Sequence, residues 1–163
     1  MSVFKSQFSR ALNVIPSDNV NVPYPAAIVD GFSSAVEVDK LVDTAVNFND
    51  LNVKTGDIVY NNSAFTAATV LEVIDDNTLL LNSNIFTAEP QYYVIYAASS
   101  QTTIGNAGCN LYVGGAGNVR VTTIGGDIIT FTAVPVGTVL PVQVIKVHSS
   151  GSGTTATLIN ALW

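Results

Sequence analysis

Charge is what this sequence has least of. Acidic and basic residues together make up 11% of the 163 residues, where a soluble chain ordinarily carries about a quarter. Ser, Thr, Asn and Gly must therefore cover most of the water-facing surface, and such a surface suits burial against neighbours. Six Lys and Arg against twelve Asp and Glu leave a net charge of −6, and no basic cluster is present to neutralise a run of phosphates. Nucleic acid is not an expected partner. The one cysteine, Cys109, excludes an intrachain disulfide and a multi-cysteine zinc module, and is read as a small buried apolar side chain. The one histidine, His148, excludes a His-rich metal site and leaves a catalytic triad a single possible base. No segment reaches membrane-spanning length, and Met1 to Arg10 has neither the apolar centre nor the cleavage site of a signal peptide. The expectation is a chain made and kept in a cytoplasm, with no membrane partner.

What is present is apolar residues, at 48%, enough for a real core. Residues 1–32 read as an extended N-terminal arm, because Pro16, Pro23 and Pro25 lie among Ser17, Asp18, Asn19 and Asn21. Its anchors, Phe4, Phe8, Leu12, Val14, Ile15 and Tyr24, either wrap their own domain or reach a neighbouring subunit. Residues 33–104 read as a small inserted β-module of five short strands, like a small barrel. Gly56-Asp57 precedes Ile58-Val59-Tyr60, and Ala67–Ile74, Asp75-Asp76-Asn77 and Thr78–Leu81 make a hairpin, before a last strand at Gln91–Tyr96. Val36–Val46 reads as strand and turn in preference to a short helix over Asp39–Asp50. Ala97–Gly108 is a connector.

Residues 105–163 read as an antiparallel β-domain that packs with the arm. Leu111–Val113, the glycines Gly114 to Gly117 and Asn118–Val121 suggest a hairpin. Gly125-Gly126-Asp127, Pro135-Val136-Gly137 and Ser149–Gly153 supply three further turns. The whole is all-β: an antiparallel sandwich or meander with an inserted module.

The stretches Leu111-Tyr-Val-Gly, Gly117-Asn-Val-Arg-Val-Thr-Thr, Gly125-Gly-Asp, Val134-Pro, Leu140-Pro-Val-Gln-Val and Gly153-Thr-Thr-Ala-Thr-Leu-Ile-Asn-Ala-Leu-Trp163 resemble small tailed-phage and gene-transfer-agent virion proteins, among them the head spike base proteins. The arm, from Ala11 to Pro25, is similar to the start of such proteins. Residues from about 33 to 104 intervene, as a module inserted into a loop would. Gly151-Ser152-Gly153 is longer than the family's turn. The resemblance implies a virion structural protein, not an enzyme: a capsid decoration, cement or head-spike base subunit. Its implied partners are the major capsid protein and copies of itself, a trimer favoured, on the capsid surface. A tail or baseplate component, or a glycan- or receptor-binding module, are the alternatives.

No residue is assigned to catalysis, to a cofactor or to a metal. His148 reads as a strand-end surface histidine, and Asp75-Asp76 as turn residues. Gly114 to Gly117 lacks the following helix of a phosphate cradle, and Gly125-Gly126-Asp127 lacks the oxygens of a calcium loop. Asn61-Asn62-Ser63 matches a glycosylation acceptor only formally. Tyr92 and Tyr96 share one strand side and Tyr93 the other, which offers a face to a sugar or a partner. The candidate interaction residues are Phe4, Phe8, Leu12, Tyr24, Tyr92, Tyr96 and Trp163.

Overall fold

Two antiparallel sheets of six strands each make the protein, in a computed structural model that describes residues 8–98 and 108–163. The first sheet lies wholly within residues 27–96. β2 (Ala27–Phe32), β3 (Lys40–Val42), β4 (Ile58–Asn61), β5 (Thr66–Asp75), β6 (Thr78–Leu81) and β7 (Tyr92–Tyr96) lie in the order β2-β7-β4-β5-β6-β3. Asp75 Oδ1 accepts a bond from Asn77 N at 2.9 Å, so the Asp-Asp-Asn turn between β5 and β6 forms as its residue types require. No helix forms over Asp39–Asp50; β3 and turns occupy it.

This sheet differs from the expected barrel in two ways. It begins at Ala27, six residues earlier than the sequence suggested, which adds a sixth strand. It is also open, since β2 and β3 are unpaired edges at its two ends. The cause lies in β5: Thr66–Thr69 pairs with β4 and Val70–Asp75 with β6, and register shifts between them bend the sheet without closing it.

The second sheet joins distant segments. β1 (Ala11–Asn13), β8 (Cys109–Gly115), β9 (Gly117–Thr123), β10 (Ile128–Val134), β11 (Thr138–Val147) and β12 (Thr157–Leu162) lie in the order β1-β12-β8-β11-β9-β10. A turn of 3₁₀ helix at Ser150–Ser152 precedes β12. Gly125-Gly126-Asp127 closes a true hairpin between β9 and β10.

The hairpin expected at Gly114 to Gly117 does not form. β8 and β9 are not neighbours; β11 lies between them, pairing with β8 through Thr138–Leu140 and with β9 through Val144–Val147. β8 to β11 therefore do not follow one another as neighbours, and β11 is inserted between β8 and β9 in an antiparallel sheet. The glycines answer a different need. A Cβ on Gly115 would overlap the Thr157 side chain, and one on Gly117 would lie 2.5 Å from Ala156 N. Close passage of the chain entering β12 is what excludes a side chain here.

Three cores follow from strand alternation. Val59, Ala68, Val70, Tyr93 and Ile95 face one side of the first sheet, where they bury Phe48, Leu79 and Phe86. Val113, Val119, Val121, Val144, Ile159 and Ala161 fill the second sheet's inner face, closed by Val14 and Val22 of the arm. Between the sheets, Ile15 and Val20 of the arm pack on Ile58, Tyr60, Ala67, Val94 and Tyr96. The arm from Leu12 to Val22 is thus mortar inside its own chain.

Candidate assembly surface

The arm is fixed by backbone first. β1 pairs with β12, and beyond it Val14 N donates to Ile159 O, Ser17 N to Val147 O and Val22 N to Ile145 O, at 2.8–2.9 Å. Trp163 N donates to Arg10 O at 3.0 Å, and Tyr24 meets the Trp163 ring edge-on at 5.6 Å with the Arg10 guanidinium over its own face. Leu12 packs against two of the cores. Of the seven interaction residues read from sequence, Leu12, Tyr24 and Trp163 are therefore engaged within the chain. Phe8 stays partly exposed beside them, and Phe4 lies outside the described residues.

Tyr96 is buried under the arm, edge-on to Tyr60 at 5.5 Å, and burial raises the pKa of both hydroxyls. Tyr93 points into the inserted core and donates to Asp43 Oδ2 at 2.7 Å, where burial first and Asp43 second raise its pKa. Tyr92 keeps an open side: its ring tilts on the exposed Phe32 at 5.3 Å and its hydroxyl donates to Asp30 at 3.1 Å.

Asp18 straps the arm to the loop before β12. It accepts bonds from the Ser149 amide, both the Ser149 and Ser152 hydroxyls, and His148 Nδ1 at 3.2 Å. The Ser149 hydroxyl, then the Ser152 hydroxyl, hold the Asp18 carboxyl down at about 2. His148 Nε2 in turn meets the Thr122 hydroxyl at 2.9 Å. Hydroxyl, imidazole and carboxylate in a row can activate a nucleophile, but that chemistry also needs a cavity above the hydroxyl. The hollow beside Asp18, of about 250 Å³, is lined by Pro16, Phe65 and Ser149, without Thr122 or His148. The row ties the arm to β9 and to the loop before β12.

The remaining sequence candidates have structural explanations. Asn61 is fully buried, bridging Ile85 O and Gln91 Oε1, so its side chain is spent inside the module. The Cys109 thiol is buried and pushed up to about 12 by that burial. Among the described residues no cluster of three or more His, Cys, Asp or Glu is placed to hold a metal, and no helix is long and apolar enough to cross a membrane.

Two apolar surfaces escaped the sequence reading. Phe65 and Leu158 both have left-handed backbone (φ 53° and 52°), stand 66% and 69% exposed, and flank a groove of about 220 Å³ with Val14 and Pro16. Bulky side chains seldom adopt that backbone. The other surface is β10, an edge strand whose burial pattern is exposed at Ile128, Ile129, Thr130, Thr132 and Ala133. Its one sequence signal was adjacent isoleucines, which alternation cannot send to the same face. No protein-family model, curated protein or solved structure matches the chain.

Proposed function

We propose that this chain is a structural subunit of a tailed-phage virion, a decoration, cement or head-spike base protein that coats the head by binding the major capsid protein and copies of itself. The carrying observation is the uncharged, apolar edge of β10, on a body whose arm and C-terminal strand lock two sheets into one unit. An exposed sheet edge presents unpaired N–H and C=O groups that another chain can complete. The resemblance of Leu111–Trp163 to virion proteins supports the same reading.

The working principle is mass action. A subunit that binds only the assembled shell stabilises that shell, and many weak contacts on a repeated lattice add through avidity. Direct imaging of particles carrying a labelled copy tests this. Density on the head supports it; label on the tail alone favours a tail or baseplate component.

The Phe32–Tyr92 ring pair, with Asp30 beside it, favours a second reading in which the inserted module stacks a sugar. Glycan-array binding that is lost in Phe32→Ala supports that role.

A further inference from the structure

The four edges of the two sheets are not alike. β3 carries Lys40 paired with Glu37 at 2.6 Å, and its neighbour Ala35 bridges back to Val42. β2 holds Asp30 near its middle. β1 is three residues long and continues into the packed arm. Charges and shortness are the ordinary ways to blunt an edge. β10 bears no charge over its seven residues. Its one bulge, the register shift between Phe131 and Val134 with left-handed Ala133, lies at its far end, so Ile128–Phe131 is a regular and bare edge.

Its backbone direction can be read from the β9 pairing. Thr123 N donates to Asp127 O, and Ile129 and Phe131 lie opposite Val121 and Val119, so the odd-numbered residues from Asp127 to Phe131 turn toward β9. Alternation then sends the N–H and C=O of Ile128 and Thr130 outward, up to the bulge that begins after Phe131. On the core side, Ile129 pairs with the fully buried Val121 yet is itself 46% exposed, so the core is open at this edge.

We propose that two copies of this chain pair through β10, antiparallel, about a two-fold axis at Thr130. In that register Thr130 faces Thr130 through about two backbone hydrogen bonds, and Ile128 faces Thr132 at the start of the bulge. Ile129 faces Phe131 twice on the core side, an aliphatic–aromatic cross-strand pair that closes the open core. The ends agree as well. Asp127 of one copy falls toward the bulge of the other and away from its Asp127, so no like charges face each other. A parallel pairing would set Asp127 against Asp127. The contact is isologous, in place of the threefold assembly implied by the resemblance.

The β10 pairing rests on its own edge and not on the virion reading. A β10 dimer that fails to label particles leaves it intact, and a monomer that labels them overturns it without touching the virion reading.

The test is sedimentation equilibrium with a designed crosslink. The parent should sediment at twice its 17.1 kDa, and Ile128→Lys should shift it to monomer with an unchanged dichroism spectrum, while Val38→Lys, exposed but away from the edge, stays dimeric. Facing Cα atoms of a hydrogen-bonded antiparallel pair lie about 5.5 Å apart, within disulfide reach of about 4.4–6.8 Å. Thr130→Cys should therefore crosslink under mild oxidation and Val38→Cys should not, the native Cys109 being buried. A parent that is monomeric or trimeric, an Ile128→Lys protein that stays dimeric, or a dimeric Thr130→Cys protein that does not crosslink overturns the proposal.

Discussion

The inserted sheet and the C-terminal sheet are equal in strand number and opposite in construction. In the inserted sheet β4 pairs with β5 and β5 with β6, each a neighbour in sequence, and both faces are covered, one by its own core and one by the arm. In the C-terminal sheet β12 pairs with β1 and β8, β11 separates β8 from β9, and the β10 edge is bare. The difference teaches what each sheet relies on. Local pairing costs little loop-closure entropy, so the β4–β5–β6 centre of the inserted sheet is specified by its turns, while β2, β3 and β7 close around it from further off. The C-terminal sheet is specified by its core and by chain ends that meet.

The largest effect should come from emptying one core. Phe86 is fully buried in the inserted sheet, and Phe86→Ala should cost about 3–5 kcal/mol. Because the molecule has a single tryptophan, Trp163 fluorescence reports the C-terminal sheet while dichroism reports both. Coincident melting by the two probes in the parent is the expected outcome, and separate transitions there would break the picture of one locked unit. Ile15, buried between the sheets, sharpens the same point. Ile15→Ala should cost about 2–4 kcal/mol, and the two melting curves should then part.

Trp163→Ala removes a ring that is only partly buried, with an expected loss of about 2 kcal/mol. Chemical unfolding followed by dichroism measures it, and a shift confined to the C-terminal sheet is the expected pattern. The smallest effect is a pH dependence. Asp18 titrates at about 2 in the folded chain against 3.8 for an unperturbed carboxyl. Its contribution is present above the unfolded value and is lost as pH falls from about 5 toward 2. Asp18→Asn should flatten the melting temperature over that window, and an unaltered slope would show that the strap carries no net stabilisation.

Legibility in the sequence followed the range of the pairing. The β5–β6 hairpin was readable because Asp75-Asp76-Asn77 carries its own turn chemistry, and β4 because Gly56-Asp57 and Asn61-Asn62 bracket it. The all-β class followed from the same signals. Gly114 to Gly117 misled, since glycine serves equally a turn and a close backbone approach, and only Thr155–Leu158, some forty residues on, decides between them. The last strand misled in detail. Strict alternation puts Ala156 and Ile159 on opposite faces, yet both are buried in one core, with the left-handed Leu158 between them. Of the candidate surface, Leu12, Tyr24, Tyr96 and Trp163 are used within the chain while Tyr92 keeps an open side, and β10 was hidden because an edge is a property of sheet order, which no local pattern encodes.

The pairing of β1 with β12 also fixes an order of events. Ala11 lies opposite Leu162, so the first described strand to leave the ribosome waits for the last before it can be placed. Non-local closure of this kind slows folding, whereas β4 to β6 can assemble while translation continues. During that interval Ile15 and Val20 have no sheet on their other side, and the exposed arm is a target for chaperones and proteases. A circular permutant that joins the two ends through a short linker and opens the chain between Ala98 and Gly108, where no pairing within either sheet is lengthened, would shorten the wait and should refold faster without any new contact.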